Sequence, residues 1–468
     1  MRQINRPKPI EGLILDPTTP RILQDKSCAP GQGIIPAPIR LHARSAAFML
    51  QINRPKPIQG LILDSTTLPM LQDKSRAPGQ GIIPALPFLL SLAAWMRLSS
   101  VAMSPSIPFR TRVAGICAVT CLLLLPGKHS CASEYPTPTA GDFALKNFRF
   151  TSGETLPELR IHYRTLGVPG RAAHGLVTNA VLILHGTTGN GSNFLRPEFA
   201  GELFGKDQLL DARRFFLVLP DGIGHGQSSK PSDGLRAHFP RYGYKDMIEA
   251  QYRLLTEGLG VNHLRLVMGT SMGGMHTWFW GELHPEFMDA LLPLASLPTQ
   301  ISGRNRVWRR MIIDAIRSDP DWKQGDYETQ PRGLRVAEEV LYFMSNNPIQ
   351  RQREAPTLEQ ADQRLDAYTA GLGKTQDAND VLYALEASRD YDPAPALENI
   401  RARLLAINFE DDLINPPELG ILEKEIKRVK KGRALVIPRS EKTRGHGTHT
   451  LAAVWKQHLA WLLKKSLR

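Results

Sequence analysis

A chain of 468 residues with 42% hydrophobic and 22% charged side chains has room for one large domain or two to three smaller ones, and this composition excludes a mainly disordered, fibrous or multi-span membrane protein. The formal charge of +13 would suggest a nucleic acid or an anionic membrane, but residues 1–132 hold 15 Lys and Arg against 5 Asp and Glu, while the remainder holds 43 against 40. The excess belongs to the front of the chain, as do all four cysteines (Cys28, Cys117, Cys121 and Cys131), so the rest has no disulfide, thiolate nucleophile or cysteine-ligated zinc.

Residues 3–40 and 51–88 are near copies: Gln3–Ile10 recurs as Gln51–Ile58 and Ala29–Pro36 as Ala77–Pro84. Two copies rich in Pro and Gly offer little regular backbone pairing, so residues 1–102 are read as a disordered extension, or as the product of a start assigned too far upstream. Residues 103–132 follow a different pattern. Arg110 and Arg112 precede the apolar run Val113–Leu125, then Pro126-Gly127 and the small residues around Ala132. This has the layout of a secretory signal peptide cleaved near Ala132, with an uncleaved membrane anchor as the alternative. The expectation is an exported protein, with no stable membrane partner after cleavage.

From residue 133 to 468 the pattern is that of one α/β domain. Two alternating segments, Phe143–Thr151 and Glu158–Leu166, predict an opening antiparallel hairpin. Six short apolar runs predict strands buried on both faces: Ala180–Leu184, Phe215–Leu219, Leu264–Met268, Ala290–Leu294, Arg403–Asn408 and Ala434–Ile437. Together they make about eight strands in a mostly parallel sheet with helices on both faces. Residues 300–395 carry helical periodicity instead, at Val307–Arg317, Leu334–Asn346 and Leu358–Leu372, and predict a helical cap. An amphipathic helix over Thr450–Ser466 closes the chain.

The chemistry centres on Gly269-Thr-Ser271-Met-Gly273, which follows a predicted strand and precedes a predicted helix. In that context Gly-x-Ser-x-Gly lifts the serine hydroxyl off the sheet, the arrangement called a nucleophile elbow. A hydroxyl needs a base, and the oxyanion it forms needs donors. His185-Gly-Thr-Thr-Gly189 follows the first buried strand, so the backbone N–H groups of Thr187 and Met272 are the candidate oxyanion hole, with His185 ordering the loop. His446, flanked by glycines, is preferred as base over His449, which lies near the start of the last helix. His225, His276 and His458 are read as loop or helix-face residues. The acid is sought in Glu410-Asp411-Asp412, with Asp412 favoured to fix the imidazole tautomer and Asp411 and Glu410 as alternates. Gly222-Ile-Gly-His-Gly226 lacks dinucleotide-binding spacing, and no metal-site spacing occurs, so neither cofactor nor metal is expected.

These motifs, with Pro220-Asp-Gly-Ile-Gly224, Ala315–Trp322, Gly325-Asp-Tyr327, Asp377-Ala-Asn379 and Pro416-Pro417, resemble the α/β-hydrolase fold and, within it, the homoserine O-acetyltransferase-like family. The resemblance runs from about residue 141 to the end. It implies Ser271 as nucleophile, Asp412 as orienting acid and His446 as base, in transfer of an acyl group from acyl-CoA to a hydroxyl. Two positions depart from it. Gly447 stands where such acetyltransferases have an Asp suited to an amino group, and Ile313 where they have an Arg suited to a carboxylate, although Arg309 and Arg310 lie about one turn earlier. The expectation is therefore serine-dependent acyl transfer, chiefly ester hydrolysis, with O-acyl transfer from acyl-CoA as the alternative. The expected partner is a small-molecule ester or acyl donor rather than nucleic acid, and a homodimer is compatible with this reading.

Overall fold

A computed structural model describes residues 135–371 and 375–467. The repeat and signal-like segment expected over residues 1–132 lie outside them. Among the described residues no helix is long and apolar enough to cross a membrane.

Eight strands form one sheet: β1 (Thr139–Arg149), β2 (Thr155–Leu166), β3 (Ala180–Leu184), β4 (Phe216–Pro220), β5 (Leu266–Thr270), β6 (Ala290–Leu294), β7 (Arg403–Phe409) and β8 (Gly432–Ile437). Their spatial order is β1-β2-β4-β3-β5-β6-β7-β8. The β1–β2 and β2–β4 pairs are antiparallel and every later pair is parallel. Strands β3 to β6 are buried at every position, as the unbroken apolar runs require.

Two runs are displaced from their predicted places, Phe215–Leu219 to β4 (Phe216–Pro220) and Leu264–Met268 to β5 (Leu266–Thr270). The strand expected over Leu264–Met268 is β5, Leu266–Thr270, because Leu264 makes only an isolated bridge to Met288 while the ladders to β3 and β6 extend through Gly269 and Thr270. The opening hairpin is longer than predicted, and Thr139 to Leu145 pair with Thr165 to Leu159.

Helices α1 (Tyr244–Arg253) and α2 (Met272–Leu283) flank the sheet, with Trp278, Phe279 and Trp280 fully buried in one core layer. The opposite layer is closed by the last helix, whose Trp455, Leu459 and Leu462 face β5 to β7 residues such as Met268, Leu292 and Ile407.

Between β6 and β7 lies the cap: α3 (Gly303–Arg317), α4 (Arg332–Ser345), α5 (Pro348–Glu354), α6 (Leu358–Thr369) and α7 (Ala378–Glu386), with the terminal helix as α8 (Ala452–Lys465). The cap has its own apolar cluster of Trp308, Ile312, Ile313, Ile316, Leu334 and Leu382. Its loops are tied by the polar residues that carried the sequence resemblance. Tyr327 donates to Asp377 Oδ1 (2.7 Å), Trp322 Nε1 to Asn379 Oδ1 (2.9 Å), and the Gly333 N–H to Asp319 Oδ2 (2.7 Å). Those motif residues thus hold the cap together rather than face the serine.

Candidate active site

Ser271 occupies the turn between β5 and α2 with φ 55° and ψ −113°, a backbone conformation that a side-chain-bearing residue adopts only under constraint. The constraint is visible on both sides. The Ser271 N–H donates to the Leu294 carbonyl (2.9 Å), and its own carbonyl accepts from the Met275 N–H (2.9 Å). Such a sharp turn needs the helix to start against the sheet: a Cβ on Gly273 would stand 1.9 Å from the Leu184 carbonyl oxygen, and one on Gly269 would stand 2.1 Å from the Gly273 carbonyl oxygen. Hydrogen at both positions is what lets the helix approach.

His446 arrives from the loop after β8, and Asp412 from the loop after β7. His446 Nε2 lies 2.9 Å from Ser271 Oγ, and its Nδ1 lies 2.8 Å from Asp412 Oδ2. Asp412 is 1% exposed, and its Oδ1 accepts the N–H groups of Ile414 (2.8 Å) and Asn415 (3.2 Å). Burial alone would raise this carboxyl, but the facing imidazole and the two N–H donors outweigh it and hold it below the ordinary carboxylate range. The carboxylate therefore receives Nδ1–H and leaves Nε2 free to accept the serine proton.

The two alternate acids point elsewhere. Glu410 Oε2 accepts the Arg439 N–H (2.7 Å) on the surface. Asp411 Oδ2 accepts from the cap residue Asn347, from Thr443 Oγ1 (2.9 Å) and from the Gly445 N–H (3.1 Å), so it anchors the loop that carries His446. That anchoring role was not visible in three adjacent acids. His449 is half-buried, 5.0 Å ring to ring from His446, and desolvation pushes it down to about 3.

The loop after β3 packs against the serine: a Cβ on Gly186 would be 3.5 Å from Ser271 Cβ. His185 Nε2 accepts the Gly222 N–H (2.8 Å), which leaves its Nδ1–H to donate to the Gly186 carbonyl (2.8 Å). Burial and the neighbouring His225 bring His185 down to about 4, so it stays neutral and fixes the loop. His225 does more than a bland loop residue, because its Nε2 meets the Thr187 carbonyl at 2.7 Å. No spacing rule marks this contact in the sequence. Met272 is the first residue of α2, where an N–H has no intrahelical acceptor, and Thr187 sits in the facing loop. His276 is buried within α2, and His458 lies on α8.

These groups open into a cavity of about 360 Å³ lined by Thr187, Ser271, His446 and Gly447 from the sheet side and by Trp308, Arg309, Glu338, Leu341 and Tyr368 from the cap. Ile313 is absent from it and is sealed in the cap core, whereas Arg309, one turn earlier, reaches it. Among the described residues no cluster of three metal-ligating side chains occurs.

A family model described as the alpha/beta hydrolase fold matches residues 179–438. The chain belongs to the α/β-hydrolase family. Within it, this α/β hydrolase is 31% identical over 286 residues to a probable acyltransferase of Methanothermobacter thermautotrophicus, covering 60% of this chain and 86% of that one. It is 30% identical over 307 residues to a homoserine O-acetyltransferase of Thermobifida fusca, covering 57% and 78%. These relatives put it in the homoserine O-acetyltransferase-like branch. Two solved structures share its fold: a homoserine O-acetyltransferase from Bacillus anthracis (TM-score 0.62, 22% identity, 70% of this chain and 98% of that one) and an acetylester hydrolase from Corynebacterium glutamicum (TM-score 0.61, 20%, 70% and 96%). The α/β hydrolase is thus an enzyme of the acyltransferase and esterase kind.

Proposed function

We propose that this enzyme hydrolyses a small-molecule ester through an acyl-enzyme on Ser271. The observation that carries the reading is the unbroken hydrogen-bond line from Ser271 Oγ through His446 to buried Asp412, opening into a cavity. Ser271 Oγ attacks the ester carbonyl carbon while His446 Nε2 takes the serine proton. The oxyanion is met by the Thr187 and Met272 N–H groups. Collapse breaks the ester C–O bond, and His446 returns the proton to the departing alcohol. Water then attacks the acyl-enzyme, with His446 again as base, to release the acid and restore the serine.

Water is preferred to homoserine as acceptor because the places suited to an amino acid's charges hold Gly447 and the core residue Ile313. The second reading, transfer from acyl-CoA to an alcohol, is favoured by the relatedness to homoserine O-acetyltransferases. A fluorophosphonate probe on the full chain should label Ser271 and fail on Ser271→Ala. Acetyl-CoA with and without homoserine, beside simple acetate esters, separates the two readings by product. A folded, unlabelled wild type would sink both.

A further inference from the structure

The cavity of Ser271 holds a cation that has no ion pair among the described residues. Arg309, on α3, is 1% exposed, and its named partners are neutral: Nε donates to Asn305 Oδ1 (3.1 Å), Nη1 to Ser388 Oγ (3.3 Å), and the guanidinium lies 4.7 Å from the Trp308 ring. The Tyr244 hydroxyl lies beside it. Among the described residues no carboxylate forms an ion pair with Arg309, although the cap arginines Arg310, Arg317, Arg335, Arg351, Arg353 and Arg364 each have one.

A guanidinium cannot shed its proton to escape burial, and a buried charge without a counter-charge is costly to the fold. A salt bridge elsewhere in the fold would remove that cost, so the unpaired state points to a ligand. Five N–H donors in a planar fork also exceed its three polar partners, Asn305, Ser388 and Tyr244. On the same cap side of the cavity Glu338 Oε1 is buried with no hydrogen-bond partner among the described residues, while its Oε2 takes the Tyr368 hydroxyl (3.2 Å). Burial raises the Glu338 carboxyl, which weakens its opposition to an anion nearby. Both side chains therefore keep polar capacity that no hydrogen bond among the described residues uses.

We propose that Arg309 receives a carboxylate of the substrate, so that the ester cleaved at Ser271 is an anionic one. The inference rests on the acyl-enzyme reading for its reaction but on Arg309 alone for its binding. The carboxylate can stand on the acyl side, as in a half-ester of a dicarboxylic acid, or on the alcohol side, as in an O-acylated hydroxy acid. Either way it pairs with the planar fork through two parallel N–H···O bonds.

Two matched pairs on the full chain test it: ethyl hydrogen succinate against ethyl butyrate, and 3-acetoxypropionate against propyl acetate, followed by acid release. In one pair the wild type should favour the anionic ester, and Arg309→Met should lower that ratio of kcat/KM by about 30-fold or more, the loss expected when one partner of a buried charge pair is removed. Arg309→Lys should keep part of the preference. Ratios that stay within about twofold of wild type in both pairs overturn the proposal, as does a wild type that disfavours the anionic ester in both. Thermal shift with butyrate and 3-hydroxypropionate, against neutral butyramide, reads binding without turnover. If no ester is cleaved and Ser271 is not labelled, the hydrolase reading falls. The anion site then stands only if a carboxylate raises the wild-type melting temperature and fails to do so in the Arg309 variants. Should Arg309→Met not fold, Arg309→Lys and these titrations decide.

Discussion

At Asp412 a buried carboxylate is satisfied by an imidazole, two backbone N–H groups and the Asn415 side-chain amide (3.3 Å), while Asp411, one residue earlier, is turned away from the imidazole to hold a loop. Their amides should therefore behave differently. Asp412→Asn can no longer impose the Nδ1–H tautomer, and kcat on an acetate ester should fall by about four orders of magnitude with the melting temperature nearly kept. Asp411→Asn weakens three hydrogen bonds made to a charged group, each worth about 1.5–3 kcal/mol, so its main effect should be on stability. Steady-state kinetics beside thermal melts check both, and equal losses of kcat would contradict the assignment. Ser271 was legible because strand, Gly-x-Ser-x-Gly and helix together specify one turn. His446 was legible from its place in the order of the motifs. The acid was less so, since adjacent carboxylates are told apart only by where each side chain points, and the role of His225 depends on a contact between loops 38 residues apart.

The strand–turn–helix unit around the serine depends on atoms that are absent. Gly273→Ala would press a methyl group against the Leu184 carbonyl, which belongs to β3 and cannot swing away as a side chain could. Overpacking of this kind costs typically about 1–3 kcal/mol, occasionally more, and here the backbone contact puts it at the upper end. Gly447→Ala is the control, because a Cβ there meets nothing within 4 Å; its stability should change by no more than about 0.5 kcal/mol. Chemical denaturation of both variants checks this, and equal midpoints would refute the close approach. The buried strands were readable from their apolar runs, but their ends were not. Gly269 and Thr270 carry no hydrophobic signal and belong to β5 only because the neighbouring strands supply ladder partners, and the first residues of β1, Thr139 to Asp142, are likewise recruited by β2.

Across the molecule, the cap is legible as some hundred helical residues interrupting the sheet, yet the way it seats is not, since its ties to the base join residues far apart in the chain. Tyr383 donates to the Ala237 and Phe239 carbonyls (2.9 Å each), Asn347 reaches Asp411, and Asp380 of α7 accepts the Ser232 N–H (2.9 Å) and hydroxyl (2.6 Å). Asp380 makes this seating sensitive to pH. Burial, aided by the nearby Asp377, raises its carboxyl to about 6, against the opposing pull of the Ser232 hydrogen bonds and Lys230. A carboxyl whose folded value lies above its unfolded one binds its proton more tightly in the native state. Its favourable contribution is therefore full below about pH 4 and is lost as pH rises through about 6. Asp380→Asn keeps an acceptor for the Ser232 N–H and can donate to the Ser232 oxygen, but it does not titrate. The melting temperature of the variant minus that of the wild type should therefore increase between roughly pH 4 and pH 7 and level off above, in scans of the two proteins side by side. A difference that is flat across that range, or that shrinks as pH rises, would mean that Asp380 is not held protonated by the cap and that the seating is set by its neutral contacts.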